Sequence, residues 1–211
     1  MSTSNADLCV VIPMKDPEQA KTRLGDVLPA ETRAALTRTL FRNTLRVLRT
    51  VDSGLHIVVV TASPSIALIA HPFRAQVLDD PGEGLSAAAE AGARYAAHHR
   101  FRSVCILPGD LADPLAKDFE TLFAAPRPDG SVIIAPAHDG GTNALIASPP
   151  DALPFSYGQG SCAKHQASAE EAGLSCLVMP LPSLLYDVDR SSDLGSRLVR
   201  GLDRSLGAFG A

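Results

Sequence analysis

LCVVIP (Leu8–Pro13) is followed by the helical stretch PAETRAALTRTLFRNTLRVLRTV (Pro29–Val51) and then by a second apolar run, HIVVVTA (His56–Ala62). Neither apolar run alternates polar with apolar residues, which is typical of strands that are covered on both faces. In the stretch between them, leucine and valine recur at helical spacing along one face. A strand, a helix and a second strand in this order predict a layered α/β fold.

The same alternation continues along the chain and predicts the fold class. Five further apolar runs follow, at Ala75–Asp80, Ser103–Asp110, Ser131–Ala137, Asn143–Ser148 and Ser175–Leu181. Further helices are predicted at Gly84–His99, Asp113–Phe123, Ser161–Ala172 and Ser192–Leu202. We therefore predict an α/β fold in which a mostly parallel sheet is flanked by helices. A length of 211 residues fits a single domain, residues 1–211.

Composition argues against several classes of protein. The net charge of -4 disfavours broad electrostatic binding to nucleic acid or to an anionic membrane. The apolar runs are far shorter than the roughly 20 residues that span a bilayer. The start of the chain has no basic segment ahead of an apolar stretch, so we expect no signal peptide and a cytoplasmic protein. Four cysteines without metal-like spacing are interpreted as buried free thiols, which suit a reducing compartment: Cys9, Cys105, Cys162 and Cys176.

Basic side chains follow the first predicted strand, and open α/β sheets bind ligands at the carboxyl ends of their strands. Lys15, Lys21 and Arg23 lie on a segment that leads from this strand towards a helix. Such a segment suits a polyphosphate, because a helix N-terminus and nearby cations both attract anions. The G-x-x-x-x-G-K-[ST] pattern of a Walker loop does not occur in the sequence. Exposed charges at the start of a helix are the alternative.

Acidic residues follow two later strands. Asp110 comes directly after a buried strand, and Asp187 and Asp189 point to the same side of an extended segment. Magnesium prefers carboxylate ligands, and two carboxylates on one face repel each other unless a cation joins them. The alternative for Asp110 and Asp189 is a turn or helix-capping role. Asp113, which precedes Pro114, is the better candidate for the cap of the next helix.

Two glycine-containing segments suit an anion. HDGGTN (His138–Asn143) places small residues where the backbone can approach a ligand closely. SYGQGS (Ser156–Ser161) opens a predicted helix, whose N-terminus could hold a carboxylate or a phosphate. The alternatives are an ordinary turn and a loop whose glycines serve only backbone geometry. Cations, acids and anion loops at one sheet edge indicate phosphoryl or nucleotidyl transfer.

Six short motifs, distributed over nearly the whole chain, resemble those of a known family. They are Pro13-Met14-Lys15, Ala20-Lys21-Thr22-Arg23-Leu24, Gly109-Asp110-Leu111, the run from Asp139 to Leu145, the run from Tyr157 to His165, and Asp187-Val188-Asp189. Their order and content resemble the 2-phospho-L-lactate guanylyltransferases of deazaflavin coenzyme biosynthesis. That family includes members that use phosphoenolpyruvate or phosphoglycerate.

The resemblance implies a single nucleotidyltransferase domain of the glycosyltransferase-A-like type. It implies transfer of GMP from GTP to the phosphate of a small acid (2-phospho-L-lactate, phosphoenolpyruvate or 3-phosphoglycerate), with release of pyrophosphate. The implied ligands of Mg²⁺ are Asp110, Asp187 and Asp189. The implied nucleotide contacts are Lys15, Lys21, Arg23, Gly84 and Ser86, and Asp110 and the three cations are the implied catalytic residues. The implied acid pocket is lined by Thr142, Asn143, Gly158 and Ser161.

Departures from the family pattern leave the substrates open. Many relatives have Gly-Leu-Asn where this chain has Gly84-Leu85-Ser86, and Tyr157 and Cys162 replace two phenylalanines beside the acid pocket. One alternative function is nucleotidyl transfer with another donor or acceptor, such as CTP with a sugar phosphate or a molybdenum-cofactor-type guanylyl transfer. The other is a non-catalytic regulator that binds nucleotide. The expected partners are small molecules, with a homodimer left open.

Overall fold

The computed structural model describes residues 5–188, which form one seven-stranded sheet in the order β3-β2-β1-β4-β6-β5-β7. The strands are β1 (Leu8–Pro13), β2 (His56–Val60), β3 (Gln76–Leu78), β4 (Ser103–Ile106), β5 (Ser131–Pro136), β6 (Thr142–Ser148) and β7 (Ser175–Val178). The helices are α1 (Ala30–Val51), α2 (Pro64–Ala70), α3 (Leu85–His98), α4 (Ala116–Ala124) and α5 (Ser161–Glu171). Each apolar run predicted to be a strand overlaps one of the seven strands, so the predicted α/β fold is confirmed.

The sheet is mostly parallel, and β6 is the antiparallel strand among those described. β1 pairs in parallel with β2 and β4, whereas β6 runs antiparallel to both β4 and β5. Residues 137–141 alone connect β5 to β6. A parallel crossover needs a dozen or more residues, so this short connection can only form a hairpin. As a result β6 begins at the edge where its parallel neighbours end.

Both faces of the sheet are buried, which explains the continuous apolar runs. In β1, Leu8, Val10 and Ile12 pack on the side of α1, while the alternate residues pack on the side of α3. Helix α3 lies so close to the sheet that a Cβ atom added at Gly92 would be 2.2 Å from a Val11 methyl group. No helix in residues 5–188 combines the length and apolar content needed to cross a membrane.

Helix α4 starts later than predicted, and the assignment of Asp113 as its cap is wrong. The helix begins at Ala116, with the extended residue Leu115 at the N-cap position. The Leu115 amide donates to Ser183 Oγ at 3.0 Å, and Asp118 accepts the Ser183 amide at 2.7 Å. These two hydrogen bonds to Ser183, in a distant loop, fix the start of the helix. Helix α2 was not predicted, and the predicted helix Ser192–Leu202 lies outside the described residues.

The prediction of buried thiols holds for two of the four cysteines. Cys9 and Cys105 are buried in the central strands, and burial raises the pKa of Cys9 to about 12. Cys162 is half-buried on α5, and Cys176 is exposed. Cys176 is exposed because β7 is an edge strand that pairs with β5 alone, so its apolar sequence is not covered as the central strands are.

Candidate active site

A crevice of about 680 Å³ opens at the carboxyl edge of the parallel strands. Its walls come from the loops after β1 and β4, from the start of β6 and from the loop that precedes α5. The crevice brings together nine residues that the sequence singled out: Lys15, Lys21, Arg23, Asp110, Thr142, Asn143, Gly158, Ser161 and Asp187. Asp189 lies outside the described residues, so its predicted role as a metal ligand stays a prediction.

Lys21 is the buried cation of the crevice. Its side chain is 2% exposed, and its ammonium lies 2.8 Å from Asp110 Oδ2 and also donates to the carbonyl of Val188. Burial of a charged group is tolerated only when it is paired in this way. Lys21 itself adopts the left-handed backbone conformation, with φ of 52°. The backbone therefore turns sharply here and delivers the side chain inward.

Asp187 lines the same crevice as Asp110, because the backbone ties their two segments together. Leu111 and Asp187 form an antiparallel bridge, and the amide of Ala112 donates to the carbonyl of Tyr186 at 3.0 Å. Asp110 Oδ2 and the Val188 carbonyl accept hydrogen bonds from the Lys21 ammonium, and Asp187 lines the same crevice, so this oxygen-rich site already accommodates a cation. This donor set fits Mg²⁺, which takes one or two carboxylates and completes its shell with waters and substrate phosphates. Residues 5–188 contain no cluster of three acidic, histidine or cysteine side chains suited to a metal.

Lys15 and Arg23 are exposed, and both line the crevice. The segment between them forms two single turns of 3-10 helix, Pro17–Gln19 and Thr22–Leu24, and α1 begins only at Ala30. The expectation that a helix N-terminus supports a phosphate here is therefore wrong, because single turns lack an appreciable dipole. Any anion at this position would depend on the side-chain cations.

The opposite side of the crevice is built on Thr142 and Ser161, which are 7% and 1% exposed. Ser161 Oγ donates to Thr142 Oγ1 at 3.1 Å, and the same Thr142 oxygen lies 3.1 Å from His165 Nδ1. The other ring nitrogen, His165 Nε2, accepts the amide of Ser156 at 2.9 Å. The start of the antiparallel strand β6 and the start of α5 thus meet through side-chain hydrogen bonds.

His165 is fully buried, and the sequence analysis did not single it out as a site residue. Burial lowers its pKa to about 4, with a smaller contribution from Lys164. Its ring meets that of Tyr157 edge-on, with the centroids 5.1 Å apart. The signal that could have found it is helical spacing, since Ser161, His165 and Ala169 form the buried stripe of α5.

Other predicted residues have structural contacts of their own. Asn143 lines the crevice, but its side-chain Nδ2 donates to the backbone carbonyl of Leu184 at 2.8 Å. Ser86 Oγ accepts the amide of Tyr157 at 3.0 Å, so it fixes the loop before α5. Neither Gly84 nor Ser86 lines the crevice, whereas Leu85 between them does.

Some lining residues were missed by the sequence analysis. Asp139 and Gln159 both face the crevice. Asp139 Oδ1 accepts the amide of Gly141 at 2.9 Å, which closes the turn before β6. Tyr157, which the sequence placed beside the acid pocket, does line the crevice, and its hydroxyl is buried without a hydrogen-bond partner among the described residues. Burial raises the pKa of Tyr157 well above its ordinary value.

Comparison with solved structures supports the fold assignment. A nucleotidyl transferase from Methanothermobacter thermautotrophicus superimposes with a TM-score of 0.67 and 15% identity, over 95% of this chain and 98% of that one. At this identity the similarity concerns the fold alone, an α/β fold with a mostly parallel sheet and flanking helices that this chain shares with that nucleotidyl transferase.

Sequence relatives identify the family. The chain is 42% identical to a 3-phospho-D-glycerate guanylyltransferase of Colwellia psychrerythraea, over 88% of each chain. It is 39% identical to a phosphoenolpyruvate guanylyltransferase of Conexibacter woesei, over 87% of this chain and 84% of the relative. The model of the family described as guanylyl transferase CofC like matches residues 8–209. The chain is therefore a nucleotidyltransferase and belongs to the CofC-like guanylyl transferase family.

Proposed function

We propose that this enzyme transfers GMP from GTP to the phosphate of a small phosphorylated carboxylic acid and releases pyrophosphate. The acceptors proposed are 3-phosphoglycerate, phosphoenolpyruvate and 2-phospho-L-lactate. The observation that carries the proposal is the division of the crevice into an acidic and cationic side and a hydroxyl-lined side. The names of the two relatives, which specify 3-phospho-D-glycerate and phosphoenolpyruvate, support the acid class.

The reaction requires alignment more than proton transfer. An oxygen of the acceptor's phosphate is already a nucleophile, so it attacks the α-phosphorus of GTP without a general base. The new bond joins that oxygen to the α-phosphorus, and the bond from the α-phosphorus to the bridging oxygen breaks as pyrophosphate leaves. Holding the two substrates in line can lower the barrier by roughly 7–11 kcal/mol.

The acidic and cationic side of the crevice would hold the triphosphate. Asp110 and Asp187, together with Asp189 two residues further along the chain, would bind a magnesium ion. When bound, this ion would neutralise charge on phosphate oxygens. Lys15 and Arg23 are exposed in the crevice and would contact the β- and γ-phosphates, where they stabilise the leaving pyrophosphate. The Lys21 ammonium would also contact these phosphates once another cation replaces it at Asp110.

The hydroxyl-lined side would hold the acceptor. Thr142 lies at the start of β6, and Gly158 adopts a φ of 117°, which leaves its backbone open to close approach. The Thr142 hydroxyl would donate to the carboxylate or phosphate of the acid, with Ser161 behind it. This arrangement would keep the acceptor's anionic groups apart from the triphosphate until both are bound.

A pyrophosphate-release screen tests the proposal. Purified enzyme with magnesium is given GTP, ATP, CTP or UTP with each of the three acids, and with a sugar phosphate as a control acceptor. We expect release with GTP and at least one acid, and loss of release in Asp110→Asn. Release with CTP and the sugar phosphate instead would identify a different transferase. GTP binding without release for any acceptor would indicate a regulator.

A further inference from the structure

We propose that His165 is a positioning residue that, together with Ser161, turns the hydroxyl hydrogen of Thr142 toward the acceptor. The inference rests on the proposed acceptor site and specifies which side chain there touches the substrate. It begins from the three hydrogen bonds that link Ser156, His165, Thr142 and Ser161.

The tautomer of His165 follows from its backbone partner. The amide of Ser156 can only donate, so His165 Nε2, 2.9 Å away, must be the unprotonated nitrogen that accepts. In a neutral imidazole the hydrogen then lies on Nδ1, which donates to Thr142 Oγ1 at 3.1 Å. The lowered pKa of His165 keeps the ring neutral across the physiological range, so this assignment does not change with modest changes of pH.

The two donors use both lone pairs of the Thr142 oxygen. One is taken by His165 Nδ1–H, and the other by the Ser161 hydroxyl. A hydroxyl oxygen has two lone pairs and one hydrogen, so the Thr142 hydrogen is left to donate elsewhere. Because Thr142 lines the crevice, its donor is available to an anion bound there. Ser161 has its hydroxyl hydrogen committed to Thr142, so it acts on the acceptor through Thr142.

Two substitutions at His165 separate the two ring nitrogens. The amide of glutamine reaches the position of Nε2, so His165→Gln can still accept the Ser156 amide but has no donor for Thr142. The amide of asparagine reaches the position of Nδ1, so His165→Asn keeps that donor and loses the acceptor. We expect the acceptor's KM to rise roughly 10-fold in His165→Gln and by less in His165→Asn, with the KM for GTP unchanged in both. An equal or larger rise in His165→Asn would overturn the inference.

A double-mutant cycle distinguishes positioning from general structural support. In a Thr142→Val background the threonine hydroxyl is gone, so His165→Gln should change the acceptor's KM by less than about twofold. An undiminished effect in that background would mean that His165 does not act through Thr142. If His165→Gln leaves the wild-type KM unaltered while Thr142→Val raises it, the inference fails and the proposed function stands.

A measurement on the wild-type protein needs no variant and no turnover. Long-range proton–nitrogen NMR of the imidazole rings reports which nitrogen carries the hydrogen. We expect His165 to be the Nδ1–H tautomer at neutral pH, and an Nε2–H tautomer would overturn the inference. Failure of the proposed function would appear differently, as an enzyme that releases no pyrophosphate with any phosphorylated acid while His165 still shows the Nδ1–H tautomer.

Discussion

The ammonium of Lys21 lies 2.8 Å from Asp110 Oδ2 and so joins a cation predicted to bind phosphate to an acid predicted to bind metal. The two residues follow β1 and β4, which are neighbours in the sheet. A divalent ion at Asp110 and the ammonium of Lys21 compete for one carboxylate. Binding of magnesium and release of Lys21 toward the triphosphate are therefore expected to be linked.

Removal of the Lys21 charge should have opposite effects on metal and nucleotide. In Lys21→Met we expect tighter magnesium binding to the nucleotide-free enzyme, because the competing cation is gone. GTP binding should weaken more than GMP binding, because the lost contacts are to the β- and γ-phosphates. Calorimetry with Mg²⁺, GTP and GMP measures all three affinities. The exposed Lys117 on α4 provides the control variant, Lys117→Met.

Equal losses for GTP and GMP in Lys21→Met would contradict the triphosphate role. Unchanged or weaker magnesium binding would contradict the competition at Asp110.

Loss of one charge at Asp110 should impair turnover while the shape of the site is kept. Asp110→Asn should lower kcat at least about 100-fold, which corresponds to about 2.7 kcal/mol of transition-state stabilisation. Kinetics at limiting and saturating magnesium provide the measurement. Asp113→Asn, at an exposed position that does not line the crevice, should turn over normally. Wild-type turnover of Asp110→Asn at limiting magnesium would rule out the metal assignment.

Thr142 and Ser161 should contribute unequally to acceptor binding. Thr142→Val removes the donor proposed to touch the acid, and a lost hydrogen bond to a charged group costs about 1.5–3 kcal/mol, so the acceptor's KM should rise roughly 10- to 100-fold. Ser161→Ala should raise it less, because Ser161 donates to Thr142 Oγ1. The double mutant should lose less than the sum of the two. Steady-state kinetics that show reduced GTP affinity but unchanged acceptor affinity would place Thr142 on the nucleotide side.

The buried imidazole of His165 should make stability depend on pH. Its pKa is lowered from 6.5 to about 4 in the folded protein, so between these values the unfolded chain binds more protons than the folded one. The free energy of unfolding should therefore fall as pH falls from about 6.5 to 4. His165→Gln lacks this titration. Its free energy of unfolding should therefore fall by about 3 kcal/mol less than that of the wild type between these pH values.

Denaturant titrations at several pH values check this expectation. His56, whose pKa is also lowered by burial, is present in both proteins and cancels in the comparison. Parallel pH profiles for the wild type and His165→Gln would contradict it.

The sequence predicted the strands well because a sheet buried on both faces leaves continuous apolar runs. Leu8–Pro13 was predicted with the bounds that the structure shows. The gathering of charged side chains at one sheet edge was also predictable, because parallel strands end at the same edge of a sheet. The direction of β6 was not predicted, although the short connection of residues 137–141 to the preceding strand requires a hairpin.

Contacts between distant segments could not be predicted from sequence. The Lys21–Asp110 pair depends on the left-handed turn at Lys21, and no local propensity of lysine favours that conformation. The start of α4 depends on Ser183, which is far away in the sequence. His165 was not singled out because its hydrogen bonds are to Ser156 and Thr142, which only folding brings next to it.

The hairpin that joins β5 to β6 also bears on how this enzyme family can diversify. Thr142 and Asn143 belong to the hairpin, whereas Lys21 and Asp110 are anchored on β1 and β4. Substitutions around the hairpin would therefore alter the proposed acceptor pocket while the loops after β1 and β4 stay as they are. With the acid and the triphosphate held as proposed, acceptor specificity would be separable from nucleotide binding, and a change of acid would require no change in the loops after β1 and β4.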